Sequence, residues 1–260
     1  MNIKSKILRG VLSISASALL FFLSLKAWSL GTKFSDLSIL ALLPLTFFIF
    51  HVSWRVSFDT WRMHYYIVVR KNSKYYNVFN GKLRATAVAA FYTLTTIPLM
   101  AWQFLSASYY ESLTLMMCVL LAGISYIFIA GYTKNHLHSP YDQIVAIKLA
   151  TWFAAICCFW SFWYVAWFIE PHDVDYFKWS LEEAIVYGAP QSPNKNSILS
   201  PIFSMLFAFD AFKLWTTVQL KEYPFFPMLL SIDIALISVL LARISVIIVH
   251  FVETIVWNRR

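Results

Sequence analysis

Charge is scarce in this chain: only 13% of its 260 residues are Asp, Glu, Lys or Arg. Soluble domains carry about a quarter, so a fully water-facing surface is excluded. Cysteine is scarcer still, with 3 residues, Cys118, Cys157 and Cys158, all inside apolar blocks. That placement excludes a disulfide framework and a cysteine-based zinc site, because intramembrane thiols behave as small apolar groups. No Gly-rich phosphate loop and no serine-nucleophile elbow occurs. No window repeats another, which argues against an internal-repeat transporter architecture.

Apolar residues make up 60% of the chain, and they come in long blocks. A helix needs about 20 predominantly apolar residues to cross a bilayer. Six blocks qualify, at approximately 8–29, 36–54, 85–105, 112–132, 146–169 and 225–249. The expected fold is all-α: a polytopic membrane helix bundle of six spans forming one integral membrane domain over residues 1–260. The first block also has the look of a secretory signal, with Lys4, Lys6 and Arg9 at its start and an Ala27-Trp28-Ser29 step at its end. Its length and Lys26 favour an uncleaved span.

Positive charge sets the orientation. Arg55, Arg62, Arg70, Lys71, Lys74, Lys82 and Arg84 fall between spans two and three, Lys134 and Lys148 flank the next turn on that side, and Arg259 and Arg260 end the chain. The opposite side carries mainly acids, among them Asp36, Glu111, Glu170, Asp173, Asp175, Glu182 and Glu183. The positive-inside rule then places both termini in the cytoplasm, most naturally of a bacterial inner membrane. The net charge of +8 is absorbed by this bias, and nucleic-acid binding is not expected.

Two elements outside the spans read as structured. Trp54, Phe58, Trp61, Tyr65 and Val68 recur at helical spacing, with Arg55, Asp59 and Arg62 at ion-pairing offsets. The second span should therefore run on as an aromatic, basic cytoplasmic helix, or bend along the membrane surface, and break within Lys71–Lys74. On the other side, residues 170–224 should form a small external cap. A short helix runs from about Tyr176 to Val186, closed by Gly188 and Pro190, with Ser180 and Glu183 fitting a capping box and Asp175 an equally good cap. Residues 189–197 read as a flexible loop. Residues 198–209 are apolar, but Asp210 and Lys213 interrupt them before spanning length; a charge at mid-bilayer costs about 3 kcal/mol. That segment reads as a re-entrant or interfacial helix.

The candidate functional residues are the polar groups that membrane character does not explain: Asp210, Lys213, Asp233, Arg243 and His250. Asp210 and Lys213 stand three apart and should neutralise each other. Asp233 and Arg243 sit in the last span, where ionisable groups line a protein interior or a water path. Ten positions separate them, so they point to different faces. Arg243 and His250 share a face near Glu253, expected to meet headgroups or a partner subunit. His51 and His250 fall at similar depth, as a bis-histidine haem requires, and His136, His138 and Asp142 could crowd a metal; neither pattern is specific, so no cofactor and no metal is expected. Trp160, Trp163, Tyr164 and Trp167 form a stripe suited to lipid or subunit contact.

Glu182-Glu183 does not carry the double-glutamate motif of intramembrane glutamic proteases, since Val186 stands where an Arg is required. With no catalytic constellation, the favoured function is a non-enzymatic subunit of a larger membrane assembly of the secretion, conjugation or defence type. Its partners would be the lipid bilayer and further protein subunits. The alternative is a transporter or channel with a polar path around Asp233 and Arg243. Few breaks inside the spans, only Pro98 and Gly123, count against it. A membrane enzyme or haem protein ranks third.

Overall fold

Helices account for every regular element in the computed structural model, which describes residues 3–32, 35–68, 81–139, 141–169, 178–188, 200–220 and 226–256. In order these are α1 (Ile3–Gly31), α2 (Leu43–Val68, after a 3-10 turn at Asp36–Leu42), α3 (Lys82–Ser106), α4 (Tyr109–His136) and α5 (Tyr141–Tyr164). There follow α6 (Leu181–Gly188), α7 (Ser200–Gln219) and α8 (Phe226–Phe251). Both α5 and α8 end in a π-helical turn, Val165–Ile169 and Val252–Val256. Six stretches are long and apolar enough to cross a membrane: Leu8–Gly31, Leu37–Arg62, Lys82–Ser106, Tyr109–His136, Tyr141–Tyr164 and Ile234–Thr254. This is the build of an integral, multi-pass membrane protein.

Local chemistry explains several boundaries. Ser108 starts α4 with a capping box, its Oγ accepting from Glu111 N while Glu111 Oε2 accepts from Ser108 N. The same device starts α6, where Ser180 N donates to Glu183 Oε2 at 2.7 Å and Glu183 N donates to Ser180 Oγ at 3.3 Å. Each box satisfies two backbone donors that a helix start leaves open. Gly81 precedes α3 with φ 81° and lies against the Trp61 indole, so a Cβ there would sit 1.8 Å from Trp61 Cδ1. Only glycine combines that conformation with so close an approach. Pro98 lies inside α3 without ending it.

The second span does run on as one helix, to Val68. The expected break at Lys71–Lys74 and the expected loop at 189–197 lie outside the described residues.

Packing centres on α8. In lipid, helices gain little from burying apolar surface and associate through close van der Waals packing, which small residues permit. Ala122 of α4, Ala146, Ala150 and Ala154 of α5, and Ala242 of α8 form such a seam, joined by Val246 and Val249. Gly123 serves the same purpose: a Cβ there would lie 3.1 Å from Ile14 Cγ1 and 3.3 Å from Val249 Cγ2. Its role is close helix approach rather than a broken helix. A second, larger apolar cluster fills the end of the bundle away from the N-terminus, around Phe21, Leu25, Trp28, Leu45, Ile97 and Leu241.

The α6–α7 pair forms a small separate core of Ala184, Ala211 and Val218, with Trp179, Leu214 and Trp215 packed on it. Trp215 Nε1 donates to the Trp179 carbonyl at 2.9 Å. It is tied to the bundle through Phe203 of α7, whose ring lies 5.6 Å from that of Trp28 on α1. Although α7 is a full 20-residue helix, it is not among the spanning candidates.

Candidate functional site

The five residues singled out from the sequence do not form one site. Asp210 and Lys213 pair across one turn of α7, with 2.8 Å between Oδ1 and Nζ, both partly exposed. That is mutual neutralisation on the cap, as their spacing implies. Asp233 lies on α8, but its side chain is outside the described residues.

His250 and Arg243 part company. Headgroup or partner contact was the expectation for their shared face, and for His250 and Glu253 the structure overturns it. His250 and Glu253 are buried among α1, α4 and α8. His250 Nδ1 hydrogen-bonds the Tyr126 hydroxyl at 2.7 Å, and Ser13 Oγ donates to Glu253 Oε1 at 2.8 Å. The reason is that α1 and α4 close over the last turns of α8, so an address on the helical wheel no longer decides exposure. In an apolar interior such groups are retained only with partners, and here those partners link three helices. His51 instead stacks on Phe47, with ring centroids 5.9 Å apart.

Arg243, about two turns before His250, is exposed, and its guanidinium lies 4.7 Å from the centre of the Tyr92 ring. It lines a groove of about 600 Å³ between α2, α3, α5 and α8. Arg84 at the start of α3 and Lys148 on α5 line the same groove. Arg84 stacks over Trp61 at 4.3 Å. Among the described residues no carboxylate lines the groove, and none forms an ion pair with Arg84, Lys148 or Arg243. The nearest acid on α2, Asp59, lies within electrostatic reach of Arg55 and Arg62 instead.

The groove also holds unanswered polar atoms. Helix hydroxyls in this protein usually bond the carbonyl four residues back, as Thr46, Thr60, Thr93, Ser125 and Ser245 do. Ser53 on α2 lines the groove, is buried, and its Oγ has no hydrogen-bond partner; the same holds for the buried Tyr92 hydroxyl. Beyond the cations the walls mix apolar side chains, Val56, Val88, Phe91, Ile147 and Val239, with the hydroxyl residues Ser57, Thr60 and Thr151. Phe91, Arg84, Lys148 and Arg243 are exposed, so the groove opens on the outside of the bundle.

Sequence reasoning found Arg243 but not its neighbours. Arg84 and Lys148 had been explained wholly by orientation, and nothing in the sequence joins three cations on three helices. Among the described residues no three His, Cys, Asp or Glu side chains gather as metal ligands. His136 packs against Tyr132, ring centroids 4.5 Å apart and planes tilted by 44°, and Asp142 is buried in the first turn of α5 with Oδ1 unpartnered. No family model matches the chain, nor does any curated protein or solved structure.

Proposed function

We propose that the protein is a non-enzymatic subunit of a larger membrane assembly, with both termini on the cytoplasmic side of a bacterial inner membrane. The orientation is supported by the charges. Arg9, Arg55, Arg62, Arg84, Lys134 and Lys148 sit towards the end of the bundle where the chain starts, while Glu111, Glu182 and Glu183 sit towards the other.

One observation carries the subunit reading. Trp152, Ile156, Trp160, Tyr164 and Phe168 all point outward from α5 and its π-helical turn. Spaced at i+4, they form one ridge of the kind that packs into a groove of another helix. Interfacial belts explain Trp and Tyr at the two ends of a span. They do not explain Trp152, 62% exposed, which lies eleven positions after Tyr141 and therefore about 16 Å along the helix, near mid-bilayer. Protein interfaces, by contrast, favour aromatic anchors.

A photo-crosslinking residue in place of Ile156 is expected to trap a discrete protein adduct in native membranes. The same residue at Leu94, 74% exposed on α3, is expected to yield lipid adducts alone. Monomer and lipid adducts from both positions would remove the support for this reading.

Transport is the second reading, and the cationic groove at Arg243 is what favours it. Against it stands the apolar cluster that fills the opposite half of the bundle. Conduction would require those side chains to part.

A further inference from the structure

We infer that the groove between α2, α3, α5 and α8 binds the phosphate headgroup of an acidic glycerophospholipid, held by Arg84, Lys148 and Arg243 and by the Ser53 hydroxyl. Three cations converge on a cavity of about 600 Å³ with no described carboxylate in its wall. Cations that line one groove of a membrane bundle repel one another, so an anion is the natural complement. Two of them are already oriented. The guanidinium carbons of Arg84 and Arg243 lie over the rings of Trp61 and Tyr92, which holds both groups at the groove, and arginine is the side chain best matched to phosphate oxygens.

The unpartnered Ser53 Oγ is an independent sign. It is 95% buried (5% exposed), lines the groove, and does not fold back on its own helix as most helix hydroxyls here do. A buried hydroxyl without a partner is costly, and a phosphate oxygen would supply one.

Depth and access favour a lipid over a free anion. Lys148 stands seven positions after Tyr141, about 10 Å along α5, in the half of the bundle that holds Arg84 at the start of α3, and a lysine at that depth snorkels towards the headgroups. Next to the cations the wall includes Val88, Phe91, Ile147 and Val239, which suit an acyl chain, beside the side chains of Ser57, Thr60 and Thr151. The outward opening lets a lipid enter sideways from the bilayer. Basic pockets between spans on the cytoplasmic side are a known form of anionic-lipid site.

Native mass spectrometry of the full chain in detergent tests this, with palmitoyl-oleoyl phosphatidylglycerol, palmitoyl-oleoyl phosphatidylcholine or inorganic phosphate added at equal concentration. Phosphatidylglycerol is expected to give a retained adduct that the other two do not. Arg84→Gln, Lys148→Gln and Arg243→Gln should each weaken it about five-fold, and the triple variant on the order of a hundred-fold, at about 1 kcal/mol per cation. Lys134→Gln, a cation at the same end of the bundle but outside the groove, should leave it unchanged. Should the triple variant not fold, Arg243→Gln alone carries the test, because that side chain is exposed. Equal retention of both lipids, retention unaffected by Arg243→Gln, or equal binding of inorganic phosphate would each overturn the assignment.

Discussion

Trp28→Ala is expected to destabilise the bundle by about 3 kcal/mol, towards the low end of the range for removing a buried aromatic ring. The low end applies because lipid replaces water as the reference. The transfer part of the usual cost shrinks, and what remains is the packing lost around the hole. Trp28 is almost fully buried, belongs to the larger core cluster, and touches Phe203 of α7. The loss should therefore be felt beyond α1: α6 and α7 should exchange amide hydrogens faster in the variant. Trp28→Phe keeps a ring but discards an indole N–H that has no hydrogen-bond partner. Its expected cost is within about 1 kcal/mol. Denaturant unfolding in detergent, read with hydrogen exchange over α6 and α7, checks both. Equal stability of Trp28→Ala and the parent chain would contradict the docking of the cap through this contact.

Ala150→Leu acts in the opposite sense, by overfilling. Ala150 has no exposed surface and stands in the alanine seam where α4, α5 and α8 meet. Three more carbons have no space there unless helices move apart. Overpacking costs about 1–3 kcal/mol, and the upper part of that range is expected because three helices share the seam. Leu149→Ala, its exposed neighbour, should change stability little. Thermal unfolding of the two variants side by side gives the comparison, and a Leu149→Ala loss as large as that of Ala150→Leu would argue against the seam.

The fold was legible in the sequence wherever one physical rule governs. Apolar length marked the six helices long and apolar enough to cross a membrane, and Asp210 and Lys213 interrupt the long helix outside that set. The Ser180–Glu183 capping box could be seen from its spacing, and Ser108–Glu111 carries the same signal. Where tertiary neighbours decide, the sequence was silent. Helical periodicity puts Arg243 and His250 on one face, yet α1 and α4 cover the second and leave the first open. Tyr126 and Ser13, which hold His250 and Glu253, carry no motif at all; they are ordinary span residues until α1, α4 and α8 come together. The groove was hidden for a related reason. Arg84 and Lys148 already satisfied the positive-inside rule, so their charges needed no further account until Arg243 and Ser53 were placed beside them.

The subunit reading is tested most directly by the mass of the particle in native lipid. Membranes dissolved by an amphipathic polymer, without detergent, should release this chain in a particle whose protein mass exceeds that of one copy. The excess should be made up of further copies or of a second polypeptide at fixed ratio. A particle holding a single chain and lipid alone, at expression levels close to native, would contradict the account.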